Sequence, residues 1–287
     1  IAGTSGLMML DGWTWEDMTL KAPVGLHVWW PSMSINRAPT APAVEEQQKK
    51  IDEQIQNIRD AFRAARGYLG AQMAGSGPGG PHHDTDLGWE AMIPALKKEM
   101  PVYLHADNIR QIQTALDWAA DEDLRIVLVG GYDAWRMADR LKERGIPVIL
   151  DGAHLLPGRD WEDYDTPFAA PAKLHRAGVP FCISTGSDNY NERNLPYHAA
   201  TAAAYGLPKE EALKAVTLYP AQILGVADRV GSLEAGKDAT LIVTDGDPLE
   251  IATQVERAYI RGRAIDLSSK HTQLFEKYKT KYAQRKK

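Results

Sequence analysis

Cysteine is almost absent from this chain: Cys182 stands alone among 287 residues. No internal disulfide can form, and cysteine usage leaves the redox compartment open. No apolar run approaches the roughly 18 to 20 residues that a bilayer-spanning helix needs, and no charged-then-apolar leader opens the sequence. Neither sign of charge dominates. The 33 Lys and Arg face 38 Asp and Glu for a net charge of −5, which argues against nucleic acid or an anionic membrane surface as the main partner. An initiator methionine is also missing. A chain that begins IAGTSGLMML reads as processed, trimmed or incomplete, so the compartment stays open between the cytoplasm and, if a leader was removed, the periplasm or the exterior.

What is present describes a globular protein. Apolar residues make up 44% and charged residues 25% of the chain, and the length suits one barrel-sized domain or two smaller ones. The first forty residues mix aromatics and turns, with Gly25 to Trp30 reading as a short strand closed by Pro31. In Val44 to Leu69 the apolar positions Ile51, Ile55, Ile58, Phe62, Ala65 and Leu69 recur every three or four residues, which predicts a long amphipathic helix. GSGPGGPHHD then has the Gly/Pro density of a surface loop over about 75–88. From Trp89 onward short apolar runs alternate with helical patterns. PVYL, RIVLV, PVIL and PFCIS start at 101, 125, 147 and 180, with helical stretches between them. Continuous apolar runs of about five residues separated by amphipathic helices signify a parallel sheet covered by helices, and their spacing suits a (β/α) barrel. Beyond a helix opened by Pro208 the pattern changes to Gly-punctuated strands, GSLEAGKDATLIV and VERAYIRGRAI, and the chain closes on a basic helical tail. The expected organisation is a barrel portion over 1–225, with its helical insertion at about 44–69, strands of a small β unit over 226–266, and the tail over 267–287.

In a parallel barrel the reactive side chains stand where strands end. His105 follows PVYL directly, and Asp188 follows FCISTGS. An imidazole and a carboxylate converging on one barrel mouth suit a divalent ion, and the carboxylate can also accept a proton from water. Each alone has an ordinary structural alternative, a hydrogen-bonded strand-end histidine and a turn or helix cap. Trp13 and Trp15 in DGWTWEDM fit an aromatic pocket wall or core packing equally. Tyr132 and Asp133 follow RIVLVGG, where a loop-borne substrate contact is expected, and Arg193 in NERN offers a planar fork for a substrate carboxylate. Cys182 lies inside an apolar strand and reads as core. Lys237 in AGKDA belongs to a turn, because the glycine spacing of a phosphate loop is missing. His82 and His83 lie in the Gly/Pro loop, His27 reads as a satisfied half-buried residue, and His175 and His271 read as surface.

The run NLPYHAATAAAYGLPKEEALKAVTLYPAQILGVADRVGSLEAGKDATLIVTDGDPL from Asn194, closed by RAYIRGRAID, resembles the last barrel helices and C-terminal strands of the amidohydrolase superfamily. The likeness is to its imidazolonepropionase-like, dihydroorotase-like and prolidase-like members. It extends backward, more weakly, to about residue 89. It implies an α/β fold, a (β/α)8 TIM-like barrel carrying C-terminal strands of a small β-sandwich domain. It also implies a metal-dependent hydrolase of a C–N bond in an amide, lactam or cyclic amide, using metal-activated water. On this resemblance His105 matches the metal-binding histidine of the fifth barrel strand, and Asp188 matches the metal-binding, catalytic aspartate of the eighth. The implied cofactor is a divalent metal, zinc first, with manganese or iron as the other candidates. The sixth-strand histidine is replaced by Gly130, no His-x-His pair occurs in the chain, and no bridging lysine can be assigned. His154, just beyond the strand PVIL, is the candidate to replace a missing ligand, and His198 is a candidate substrate contact against a plain helix-surface reading. Expected partners are a small-molecule substrate and further copies of the chain, or a larger complex supplying an upstream part. The competing expectation is a non-catalytic or degenerate barrel that serves as a binding or scaffold subunit, because one His and one Asp alone do not complete a metal site.

Overall fold

A computed structural model describes residues 1–75, 84–186 and 189–284. His82, His83 and Asp188 therefore lie outside the described residues. The chain opens with β1 (Gly3–Met8), a short α1 (Trp15–Met18), β2 (Thr19–Trp29), the long α2 (Val44–Gly75) and α3 (Leu87–Leu96). Then β3 (Val102–Ala106), α4 (Ile109–Asp121), β4 (Ile126–Gly130), α5 (Ala138–Glu143), β5 (Val148–Leu150), α6 (Thr166–Ala177) and β6 (Phe181–Ile183) alternate. Three helices follow, α7 (Leu195–Ala204), α8 (Lys209–Ala215) and α9 (Leu218–Leu224). The strands β7 (Leu241–Thr244), β8 (Val255–Ile260) and β9 (Arg263–Ala264) and the helix α10 (Lys270–Gln284) end the described chain.

The first six strands form one sheet in sequence order, and β2 through β6 are all parallel. The sheet curls into a half-barrel of TIM type, with helices over its outer face. β1 pairs antiparallel with β2; this edge strand was not anticipated, since GTSGLM carries little of the apolar signal of its neighbours. β7, β8 and β9 form the separate small antiparallel sheet that the C-terminal glycine pattern announced.

Strand alternation sends successive side chains to opposite faces. Val102, Leu104 and Ala106 of β3, Leu128 of β4 and Leu150 of β5 join the large core under the helices, together with Phe62, Ile112, Leu116 and Trp118. The other face carries Tyr103 and Val127 with Val24, and Val129 and Ile149 pack against them. His105, two residues beyond Tyr103, continues that inner face toward the strand ends.

Local signals set several boundaries. Asn108 caps α4 by accepting from Gln111 N at 3.0 Å, and Asp86 caps α3 by accepting from Gly88 N at 2.8 Å. α2 reaches Gly75, beyond the expected end at Leu69, and α3 begins at Leu87, inside the stretch expected to be loop. α10 has no buried residue, so the basic helical tail forms as a solvated helix. Trp13 and Trp15 are 94% and 67% exposed, so they do not pack in the core.

Candidate functional site

The C-terminal ends of β3, β4, β5 and β6 form one mouth, because the parallel registers bring Ala106 beside Gly130 and Gly130 beside Leu150 and so level the strand ends. His105 sits at this end of β3, half-buried on the inner face. Opposite Tyr103 and one step deeper stands His27 of β2, since Trp29 pairs with His105 and His27 with Tyr103. The two imidazoles meet: His27 Nδ1 lies 2.8 Å from His105 Nε2. The Trp29 ring stacks on His105 with centroids 3.9 Å apart and planes within 5°, and Tyr103 meets His27 edge-on at 5.0 Å. His27 Nε2 and the Tyr103 hydroxyl are buried without a hydrogen-bond partner among the described residues.

Burial disfavours the charged form of both rings. His105 is pushed down to about 4, first by burial and then by the neighbouring charge His27 would carry, and burial lowers His27 as well. At neutral pH both are uncharged imidazoles, and across this contact the N–H of one ring donates to the lone pair of the other. His27, expected to be a satisfied structural residue, is thus an unforeseen member of the site. Only the strand order reveals it, because residues 27 and 105 are far apart in sequence. The visible signal was alternation: His27 and Trp29 share one face of their strand, as Tyr103 and His105 share theirs.

Past the strand ends a cavity of about 340 Å³ is lined by Asp107, Tyr132, Leu150, Asp151, Leu155, Pro167, Ala170, Thr185 and backbone at Gly130, Gly152 and Gly186. Withdrawal from water raises Asp107 above the usual carboxylate range, against the pull of the Tyr132 backbone N–H and with a further push from Asp133. Asp151 is raised by burial and then by Asp107. Gly130, with φ of +90°, needs its missing side chain, since a Cβ there would stand 2.4 Å from Asp107 Oδ1. The β4 end therefore offers no side-chain ligand while Asp107 keeps its place.

The loop between β5 and α6 folds back over this mouth and is held by buried charge. Asp133 and Glu162 each keep 1% side-chain exposure. Arg159 donates to both oxygens of Asp133, at 2.9 and 2.5 Å, and to Glu162 Oε1 at 2.5 Å. Arg136 stands 3.2 Å from Asp133 and 3.5 Å from Glu162. Asp133 Oδ2 also accepts from Ile109 N at 2.9 Å. Tyr132 donates its hydroxyl proton to Glu162 Oε2 at 2.7 Å and accepts from Gly158 N at 2.7 Å. Burial alone would raise Glu162, yet Tyr132 and Arg159 together bring it below its ordinary value.

The remaining sequence candidates are placed as follows. His154 is exposed and stacks on His198 at 4.0 Å, with Nε2 2.9 Å from Thr201 Oγ1; the structure groups it with α7. His198 is buried rather than on the helix surface, and its Nδ1 accepts from Ala153 N at 2.9 Å and His154 N at 3.2 Å. This makes it a clamp on the start of the β5–α6 loop. Arg193 is exposed in the 3-10 segment before α7. Cys182 is buried in β6, its thiol pushed up to about 12 by burial, as a core residue should be. Among the described residues no three His, Cys, Asp or Glu side chains gather as a set able to hold an ion.

Comparison with known proteins follows the same outline. The crystal structure of an amidohydrolase from Thermotoga maritima MSB8 superposes with a TM-score of 0.80 at 29% identity, covering 92% of this chain and 68% of that one. Amidohydrolase tasK of Hapsidospora irregularis is 27% identical over 62% of this chain and 19% of its own length. The imidazolonepropionase of Chromobacterium violaceum is 35% identical over 46% of this chain and 32% of its own. The chain thus matches a third or less of the length of these two relatives. The model of the amidohydrolase family matches residues 15–265, from α1 through β9. On that match, and on a half-barrel superposing on a solved member, the chain belongs to the amidohydrolase family.

Proposed function

We propose that this chain forms part of a metal-dependent hydrolase that breaks a C–N bond in an amide, lactam or cyclic amide. The observation that carries the reading is the contact of His27 Nδ1 with His105 Nε2 at 2.8 Å, two neutral imidazoles meeting at the mouth end of parallel strands. Family membership and relatives named amidohydrolase and imidazolonepropionase support the bond type.

The donor chemistry fits a divalent ion. The facing atoms are imidazole nitrogens, a donor type that zinc takes readily. We assign the ion to His105 and Asp188, with His27 in place of His154, whose Nε2 is turned to Thr201. Imidazole and carboxylate together suit zinc, and manganese or iron after it. Bound there, the ion would polarise the scissile carbonyl and bring the pKa of water from 15.7 toward about 7.

The chain's own residues carry the proton. Asp188 takes it from the attacking water onto a carboxylate oxygen and delivers it to the leaving nitrogen. His105, with its pKa near 4, stays uncharged throughout. Arg193, exposed on the approach to α7, binds a substrate carboxylate. Tyr132 lines the cavity that receives the substrate, and His198 keeps the loop after β5 in place.

Metal analysis of the purified chain, together with turnover of Asp188→Asn, tests this reading. Stoichiometric zinc, manganese or iron that falls when His105 becomes Ala, with turnover abolished in folded Asp188→Asn, is the expected result. A chain that holds no metal after gentle purification and binds none when it is added would favour the scaffold reading, which the glycine at 130 and the missing His-x-His pair motivate.

A further inference from the structure

We infer that Tyr132 is a specificity-determining residue that offers substrate its ring rather than its hydroxyl, and that Arg159 is the positioning residue that fixes this ring as a wall of the mouth cavity. The inference rests on the reading of that mouth as the substrate site. A tyrosine hydroxyl has one proton to give. Here it goes to Glu162 Oε2 at 2.7 Å, while the same oxygen accepts from Gly158 N at 2.7 Å. What Tyr132 presents to the cavity is therefore an apolar face, and its neighbours in the lining, Leu150, Leu155, Pro167 and Ala170, extend the same character. No Lys, Arg or His side chain is among the described lining residues. Asp107, Asp151 and Thr185 complete the lining, so the apolar residues suit a flat, uncharged or aromatic group of a substrate that also carries a polar part.

The wall stands because the β5–α6 loop is tied down behind it. Gly158 and Glu162, the two partners of the hydroxyl, belong to that loop. Arg159 between them reaches back to Asp133, the residue after Tyr132, through two bonds to the carboxylate. Its guanidinium also lies 5.8 Å from the Tyr132 ring centroid and 5.6 Å from that of Trp161. Without Arg159 Glu162 keeps, of its ion pairs, only the longer contact with Arg136, and the ring loses its fixed orientation. A lysine at 159 keeps the charge but only one of the bonds.

The test measures binding of benzamide and acetamide to the full chain by saturation-transfer NMR and isothermal titration. Alongside it, hydrolysis of N-benzoyl- and N-acetyl-p-nitroanilide is followed. Wild type is expected to prefer benzamide at least about tenfold, which corresponds to about 1.4 kcal/mol. Tyr132→Ala should lose that preference, Tyr132→Phe should retain most of it because the ring remains, and Arg159→Lys should recover only part of what Arg159→Ala loses. Where the anilides turn over, the loss should fall on KM for the benzoyl compound with kcat little changed. The binding arm stands without turnover: a benzamide preference that vanishes in Tyr132→Ala supports the wall even if hydrolysis is absent and the hydrolase reading fails. Equal binding of the two amides by wild type, or a preference kept by Tyr132→Ala, overturns the inference. Should Arg159→Ala fail to fold, Tyr132→Phe against Tyr132→Ala decides.

Discussion

Replacing Arg159 by Ala removes the guanidinium that makes two bonds to Asp133 and one to Glu162. Both carboxylates keep 1% side-chain exposure, so each depends on its protein partners. Removing one partner of a buried pair costs about 3–5 kcal/mol because the other charge is left stranded. Two features reduce that figure. Arg159 is itself 29% exposed, and Arg136 remains at 3.2 and 3.5 Å from the two carboxylates. The expected loss is therefore about 2–3 kcal/mol. At about 2–4 °C per kcal/mol, the unfolding midpoint should fall by about 4–12 °C. Urea unfolding followed by circular dichroism, on wild type, Arg159→Ala, Asp133→Ala and the double variant, isolates the pair from everything else Asp133 does. A coupling energy of at least about 1.5 kcal/mol is expected. A value below about 0.5 kcal/mol, that of an exposed ion pair, would refute the claim that this cluster holds the mouth together.

Four further outcomes are expected. Gly130→Ala must place a Cβ 2.4 Å from Asp107 Oδ1 at φ of +90°, and denaturation should show a loss of about 1–3 kcal/mol; no loss would mean that Asp107 yields freely. In metal-free protein His105 has a folded-state pKa near 4 against an ordinary 6.5, so the unfolded chain binds protons first. Stability from this group is full above pH 6.5 and declines as pH falls toward 4, and urea midpoints should decline less steeply over that window in His105→Gln. Cys182, buried with its thiol raised to about 12, should resist iodoacetamide in native protein and react in urea; rapid native labelling would contradict its burial. Deleting residues 267–287 should move the melting temperature very little, a change of less than about 1 kcal/mol, because α10 buries no residue.

The parallel strands were readable because burial on both faces leaves unbroken apolar runs. PVYL, RIVLV, PVIL and PFCIS lie where β3, β4, β5 and β6 form. β1 escaped notice because its residues alternate between partly exposed and exposed, and it is pinned by pairing with β2 rather than by an apolar pattern of its own. Within the site, His105 stood out as the first polar residue after a strand. His27 did not, since its partner is set by which strands are neighbours, a property of topology and not of local sequence. The cluster around Asp133 was equally hidden: it depends on the return of a loop from 159 to 133, and no periodicity encodes that return. For the tryptophans of DGWTWEDM the core alternative fails, since both are exposed and aromatic composition alone carries no information about which way a side chain turns.

The wiring of Asp133 bears on how this scaffold can be altered. That one carboxylate receives Ile109 N after β3, belongs to the segment after β4, and binds Arg159 after β5. Three successive connections are thereby fastened to a single point, so none of them is a free module. An engineer who transplants the stretch 152–165 into another scaffold of this kind, or exchanges it here for a foreign one, must move the acceptor with the arginine. A swap that supplies one without the other leaves Asp133 to Arg136 alone, or Arg159 to Glu162 alone.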